Sequence, residues 1–347
     1  MQRREFLTRA TALGLSASAA YALGGLTQPA KAQTAPALGG TLRIQQSVKR
    51  LTDPRSYDWS ELGNQTRGFL EYLVEYQSDG TFTGMLLDRW QVNEDATRYL
   101  LHLRPGVTWN NGDPFTAQDV ARNIARWCDT MAERNSMAGR FAGLIDLDTG
   151  QARAGAITVL DDLTLVLSLS QPDISVIANM SDYPAAIVHA SYEGGDPFLN
   201  GIGTGPFRPV SLVPGALCVL ERHPDHRWWG SEVFGGPYLD RVEFIDLGLN
   251  PSAWLGAAER GEIDLLYETV GDFIDAMDGI GWTRTRTETA ATTVIRASQT
   301  ARIVGTNPYL KPDIRRAMAL AVDNAICLEL GYGGRGTVAA NHHVSPI

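Results

Sequence analysis

A mixed α/β fold with several discontinuous sheets is the class this 347-residue sequence predicts. Three observations lead there. Short runs of alternating apolar and polar residues mark strands, and longer runs with apolar residues three and four apart mark helices. The two kinds never settle into the regular strand–helix rhythm of one parallel sheet. No internal repeat is visible, and compositional bias is confined to the start of the chain.

That start reads Arg3-Arg4-Glu5-Phe6-Leu7, then an apolar Ala-, Gly- and Ser-rich run from Ala10 to Leu26, then Ala30-Lys31-Ala32. The order predicts a twin-arginine signal peptide over residues 1–32, cleaved to leave Gln33 first, and a mature protein in the periplasm. A membrane anchor is the alternative. The run is short, weakly hydrophobic and followed by a small-x-small motif, which favours cleavage. No cysteine stands near the cut to carry a lipid.

The formal charge is −9; four basic residues against Glu5 give the leader +3 and leave −12 for the rest. An exported chain this acidic has no electrostatic reason to bind nucleic acid or an anionic membrane. Cys128, Cys218 and Cys327 are far apart, odd in number and each beside apolar residues. Buried free thiols are expected, with one disulfide plus a spare thiol as the alternative. Roughly 315 residues follow the leader, enough for two or three domains with their own cores.

The mature chain opens with a short alternating strand, Gly39 to Gln45, and a polar loop holding Asp53-Pro54 and Tyr57-Asp58-Trp59. From Asn64 to Tyr76, Phe69, Leu70, Leu73 and Val74 share one helical face, so a helix is expected. A meander follows, ending in a strand where Tyr99, Leu101 and Leu103 alternate with more polar partners. In "LRPGVTWNNGDPFTAQDVARNIARW", Asn110 to Pro114 concentrates turn formers. Thr116 and Asp119 form a capping-box pair, and Val120, Ile124 and Trp127 give the next helix one apolar face. "AITVLDDLTLVLSL" reads as a hairpin with Asp161-Asp162 at the turn and Leu163, Leu165, Leu167 and Leu169 pointing one way. The glycine- and proline-rich stretch Asn200 to Leu212 marks a domain crossing, and "ERHPDHRWWG" closes a strand with rings and charges. Trp254 to Leu266 reads as a helix closed by Gly261 with a strand at Ile263.

Catalytic and metal motifs are missing. The sequence holds no G-x-S-x-G elbow, Walker loop, H-E-x-x-H or spaced Cys/His cluster. His223 and His226, and the adjacent His342-His343, lack a third ligand at sensible spacing and read as surface turns. "GTGPF" has the glycines of a phosphate cradle without its lysine.

Taken in order, the Asp53-Pro54 loop, "LRPGVTWNNGDPFTAQDV", the Asp-Asp hairpin, "GTGPF", "HPDHRWWG", "AAERGEIDLL" and "NPYLKPDIRRAMALAVD" resemble the family 5 extracellular solute-binding proteins of ABC transporters, the oligopeptide- and dipeptide-binding class. The resemblance runs from about Gly39 to the last residue. It implies a two-lobed, type II-like periplasmic binding protein with a smaller inserted domain. Lobe I would comprise residues 38–70 and 193–290, the insert residues 71–192, and lobe II would begin at 291 and stop incomplete at 347. Trp109 becomes a packing residue of the insert. The implied function is a periplasmic substrate-binding component of an importer, without catalysis or cofactor. Its ligand would be a peptide, its partners the permease subunits, and the protein a monomer. A nickel-, haem- or sugar-binding member, or a secreted hydrolase, is the alternative.

The resemblance also places Asp58 where family members contact ligand, with Tyr57 and Trp59 flanking it. Asp58 would receive a cationic group while an aromatic neighbour covers an apolar stem. Alternatively, Tyr57 and Trp59 pack the loop and Asp58 caps the next turn. Gly203, Thr204 and Gly205 are expected to line the cleft, where missing side chains admit a ligand to the backbone. Family members continue well beyond "RRAMALAVD", so the last segment should be short of packing partners. A strand near Val294–Ser298 and a helix near Asp313–Asp323 are expected there. Ile314, Ala317, Met318, Ala321 and Val322 lie on one face of that helix. A bare face forfeits roughly 1.5–3 kcal/mol per large side chain.

Overall fold

A computed structural model describes residues 36–269, 271–286 and 293–338. The expected leader and cleavage site, and His342-His343, lie outside the described residues. The strands, in chain order, are β1 (Thr41–Gln45), β2 (Val74–Tyr76), β3 (Phe82–Gly84), β4 (Leu87–Val92), β5 (Arg98–Leu103) and β6 (Ile157–Asp161). They continue with β7 (Thr164–Ser168), β8 (Phe207–Val213), β9 (Leu217–Arg222), β10 (Arg241–Ile245) and β11 (Leu265–Leu266). Among the described residues they form three separate sheets, as the broken rhythm predicts. One has the order β11-β1-β10-β9-β8, a second is β2-β3, and the third is β4-β5-β7-β6.

In the five-stranded sheet β1 runs parallel to both β10 and β11, while β10-β9-β8 is an antiparallel meander. A strand from the start of the described residues is thus sandwiched between two strands that come after the whole four-stranded sheet in sequence. That four-stranded sheet is antiparallel throughout. Tyr99, Leu101 and Leu103 are its buried positions in β5, the predicted alternation. In the hairpin Leu165 and Leu167 are buried, but the turn residues are Asp162 and Leu163, and Leu163 is partly exposed. Asp161 stays in β6 and its carboxylate accepts the Leu163 amide.

The helix Ala117–Trp127 lies on β6 and β7. Asp119 accepts the Thr116 amide at 2.9 Å, completing the capping box, and Val120, Ile124 and Trp127 are fully buried. Trp109 is buried edge-on against Phe115 and His189. Its turn is pinned elsewhere: the Asn110 amide donates to Gly203 O and the Asn110 side chain to Gly201 O. The strand–turn–helix is scaffold that fastens the crossing segment.

Five expectations need correction. The helix expected over 64–76 is instead Ser60–Thr66, after which the chain turns and runs extended into β2. Leu73 O accepts the amides of Met85 and Leu87, and Phe69, Leu70, Tyr72, Leu73 and Val74 are all buried. A one-faced helix cannot bury so continuous a run; an extended segment covered on both sides can. The helix placed at Trp254 begins earlier, spanning Pro251–Glu259, because Asn250 caps the Ser252 amide and Pro251 suits the first position. The strand after it starts at Leu265, past Ile263. Residues 293–298 form no strand. Cys327 is exposed, whereas Cys128 and Cys218 are buried; all three are free.

The expected contrast in packing is present. One apolar cluster runs through residues 69–192 and onto β9 and β10. Beyond residue 293, the helices Pro312–Leu320 and Asn324–Tyr332 contain no buried residue. Leu320 is 77% exposed and Val322 42%. Arg335 ties this segment to Asp275 by an ion pair of 2.7 Å.

Candidate functional site

The loop after β1 is held by charge. Asp53 caps the turn Pro54–Ser56 and pairs with Arg55 at 2.9 Å and Arg126 at 2.8 Å. Burial pushes its pKa up, but the bond from Arg55 and the charges of Arg126 and Arg55 outweigh that and hold it below the ordinary carboxylate value. Tyr57 is buried with Leu51 and Leu62, so it packs the loop. Its neighbours face outward.

Asp58 is exposed and receives Arg134 at 2.7 Å. Trp59 is 56% exposed, with the Lys49 ammonium 4.7 Å from its ring centroid. The next residue, Ser60, accepts the Tyr267 hydroxyl at 3.0 Å, and Tyr267 directly follows β11. The exposed Asp58 and Trp59 thus precede a residue bonded to the chain just past the C-terminal end of β11, the side of an open α/β sheet where ligands are placed.

The glycine cluster is brought elsewhere. A Cβ on Gly203 would lie 1.9 Å from Phe69 O, and one on Gly205 2.6 Å from Gly68 O. Both glycines admit the chain's own backbone: the Gly205 amide donates to Phe69 O, and Phe207 N donates to Gly68 O. Thr204 is buried between them, and its carbonyl faces His226 Nε2 at 3.1 Å.

Sequence reasoning missed the carboxylate beside this junction. Glu71 is buried, accepting Trp228 Nε1 at 2.9 Å on one oxygen and Trp229 Nε1 at 2.7 Å on the other. Burial raises its pKa above the ordinary value, against the pull of Trp229, Thr204 and Trp228. The available signal was an acid inside the apolar run "FLEYLV" and a tandem tryptophan far downstream.

Among the described residues no group of three or more His, Cys, Asp or Glu is arranged to hold a metal ion. His223 and His226 stack edge-on, ring centroids 5.9 Å apart. Burial pushes the thiols of Cys128 and Cys218 up to about 12, which removes the thiolate a nucleophile needs.

The sequence model for bacterial extracellular solute-binding proteins, family 5 Middle, matches residues 81–347. The probable peptide ABC transporter periplasmic-binding protein y4tO of Sinorhizobium fredii is 26% identical over 282 residues, covering 76% of this chain and 49% of its own length. The periplasmic oligopeptide-binding protein OppA of Salmonella typhimurium is 26% identical over 229 residues, 63% of this chain and 41% of its own. This chain thus spans about half the length of the curated relatives it matches. Among solved structures, the periplasmic binding protein DppA of Helicobacter pylori in complex with peptide STSA aligns with a TM-score of 0.65 at 21% identity, over 86% of this chain and 59% of that one. The fold is that of such binding proteins.

Proposed function

The chain belongs to the family 5 bacterial extracellular solute-binding proteins, and from that premise we propose that it is the substrate-binding component of a periplasmic ABC importer, carrying peptides and catalysing nothing. The open Trp59–Asp58 face, followed by a residue bonded to the chain just past β11, carries this reading. A ligand ammonium would take the place of the Arg134 guanidinium on Asp58, and the Trp59 ring would cover an adjoining apolar stem. The peptide-binding relatives support the ligand class. Export by the twin-arginine route, a monomeric state and delivery to permease subunits complete the proposal.

The domain scheme is part of it. Residues 38–70 and 193–290 would form one lobe, 71–192 the insert and 291–347 the beginning of the other lobe. Its support is that β1 pairs with strands after residue 193, while the four-stranded sheet arises wholly in between. Gly203, Thr204 and Gly205 act in this scheme as the joint behind the ligand face.

Native mass spectrometry of protein purified from its host tests the function, and a co-purified peptide is the expected result. Turnover of generic ester or glycoside substrates would sink the proposal. For the site, Asp58→Ala is expected to weaken capture of that peptide; unchanged affinity removes Asp58 from it.

A further inference from the structure

Beside β8 the surface opens into a cavity of ≈ 310 Å³, walled by Tyr72, Val74, Met85, Phe207 and Trp228. That volume lies at the lower end of those that enclose small organic ligands. Glu71 also lines it, with only 4% of its own surface exposed. Its oxygens each hold one indole N–H, and a carboxylate oxygen can accept two donors, so acceptor capacity remains.

Among the described residues no cation makes an ion pair with Glu71. Arg67 and Glu75 also line it and offset each other, with the Arg67 guanidinium stacked 4.5 Å over the Tyr72 ring. Arg104 acts on Glu71 from across Trp229, lying 4.6 Å over that ring, and is committed to the carbonyls of Met85 and Gly84. Where Asp53 has two guanidiniums in contact, Glu71 has two indoles in contact and a guanidinium, that of Arg104, only at longer range. A buried carboxylate held by neutral donors, lining an aromatic-walled space, has no cation in contact.

We propose that this cavity is a binding site for a small organic cation, a primary ammonium on an apolar or aromatic body. The ammonium donates to Glu71, and the body lies against Val74, Met85 and Phe207. None of these residues belongs to the Trp59–Asp58 face, so the site stands apart from the peptide reading.

The test is a titration of the full chain with 2-phenylethylammonium, followed by tryptophan fluorescence and checked by calorimetry. The neutral 2-phenylethanol, nearly isosteric, is the control. Saturation by the ammonium is expected, with the alcohol about tenfold weaker or worse, the worth of one charge-assisted hydrogen bond. Glu71→Gln should erase that preference, and Asp58→Ala should leave it intact. If Glu71→Gln does not fold, Met85→Trp, which fills the cavity and spares the carboxylate, should abolish binding. Equal binding of the two probes, no saturation by about 10 mM, or binding indifferent to the cavity variants would overturn the proposal.

Discussion

Asp53 and Glu71 are both carboxylates taken out of water, and the chain treats them in opposite ways. Asp53 sits between two guanidiniums, at 2.9 and 2.8 Å, and its pKa falls below the ordinary value despite burial. Glu71 sits between two indoles, and its pKa rises. Hydrogen bonds engage both carboxylates, yet only Asp53 has cations in contact, while Arg104 acts on Glu71 from farther away. Satisfying a buried group's geometry and neutralising its charge are separate requirements. The first centre locks a loop; the second leaves an electrostatic demand that a ligand could meet.

The largest expected effect tests how tightly the Glu71 centre is sealed. Gly203→Ala would drive a methyl group into Phe69 O, a backbone atom that no side-chain rotation can move aside. It should cost about 3 kcal/mol, read as a lowered urea midpoint. Asp53→Ala should come next, at about 2–3 kcal/mol, because it strands two cations. Arg55 and Arg126 keep some access to water, which moderates the loss expected for a fully buried pair. Trp229→Phe keeps the ring and deletes one donor to Glu71. The expected cost is about 1 kcal/mol, that of one hydrogen bond. Should Trp229→Phe equal Asp53→Ala in cost, the distinction between charge balance and hydrogen-bond satisfaction would collapse.

The smallest effect is the most diagnostic, because its sign differs between the centres. Asp53 is stabilising when ionised, so its contribution is present above the ordinary carboxylate value of 3.8 and is lost as pH falls through its lower folded value. Glu71 is the reverse. Its ionisation in the fold costs nothing below 4.5, costs progressively more as pH rises from there to its higher folded value, and is constant beyond. Asp53→Asn should therefore look mildest in acid and worsen toward neutrality. Glu71→Gln should look worst in acid and improve against the parent as pH rises past 4.5. Denaturant midpoints of both variants and the parent, taken across acidic to neutral pH, should give slopes of opposite sign. Parallel slopes would mean the two carboxylates are in equivalent environments.

Much of the local architecture was legible before any coordinates. The alternation of Tyr99, Leu101 and Leu103, the Thr116–Asp119 cap and the Val120–Ile124–Trp127 face follow from residues within a few positions of one another, while the packing role of Trp109 came from the family resemblance. The lack of cover on the last helices was an expectation of the resemblance, and Leu320 there stands 77% exposed. The candidate site was half legible. Asp58 and Trp59 do face solvent, while Tyr57 turns inward and Gly203 and Gly205 make room for backbone.

Spacing along the chain decides which side chains share a face, because the period of a strand or helix is a property of the backbone alone. It does not decide what that face meets. The segment after Thr66 carries a helical pattern and still runs extended, since Met85 and Leu87 arrive to bond Leu73 O. Glu71 becomes a buried anion only when Trp228 and Trp229, far along the chain, close over it. Those encounters depend on the route of the whole chain, and tertiary structure alone determined them.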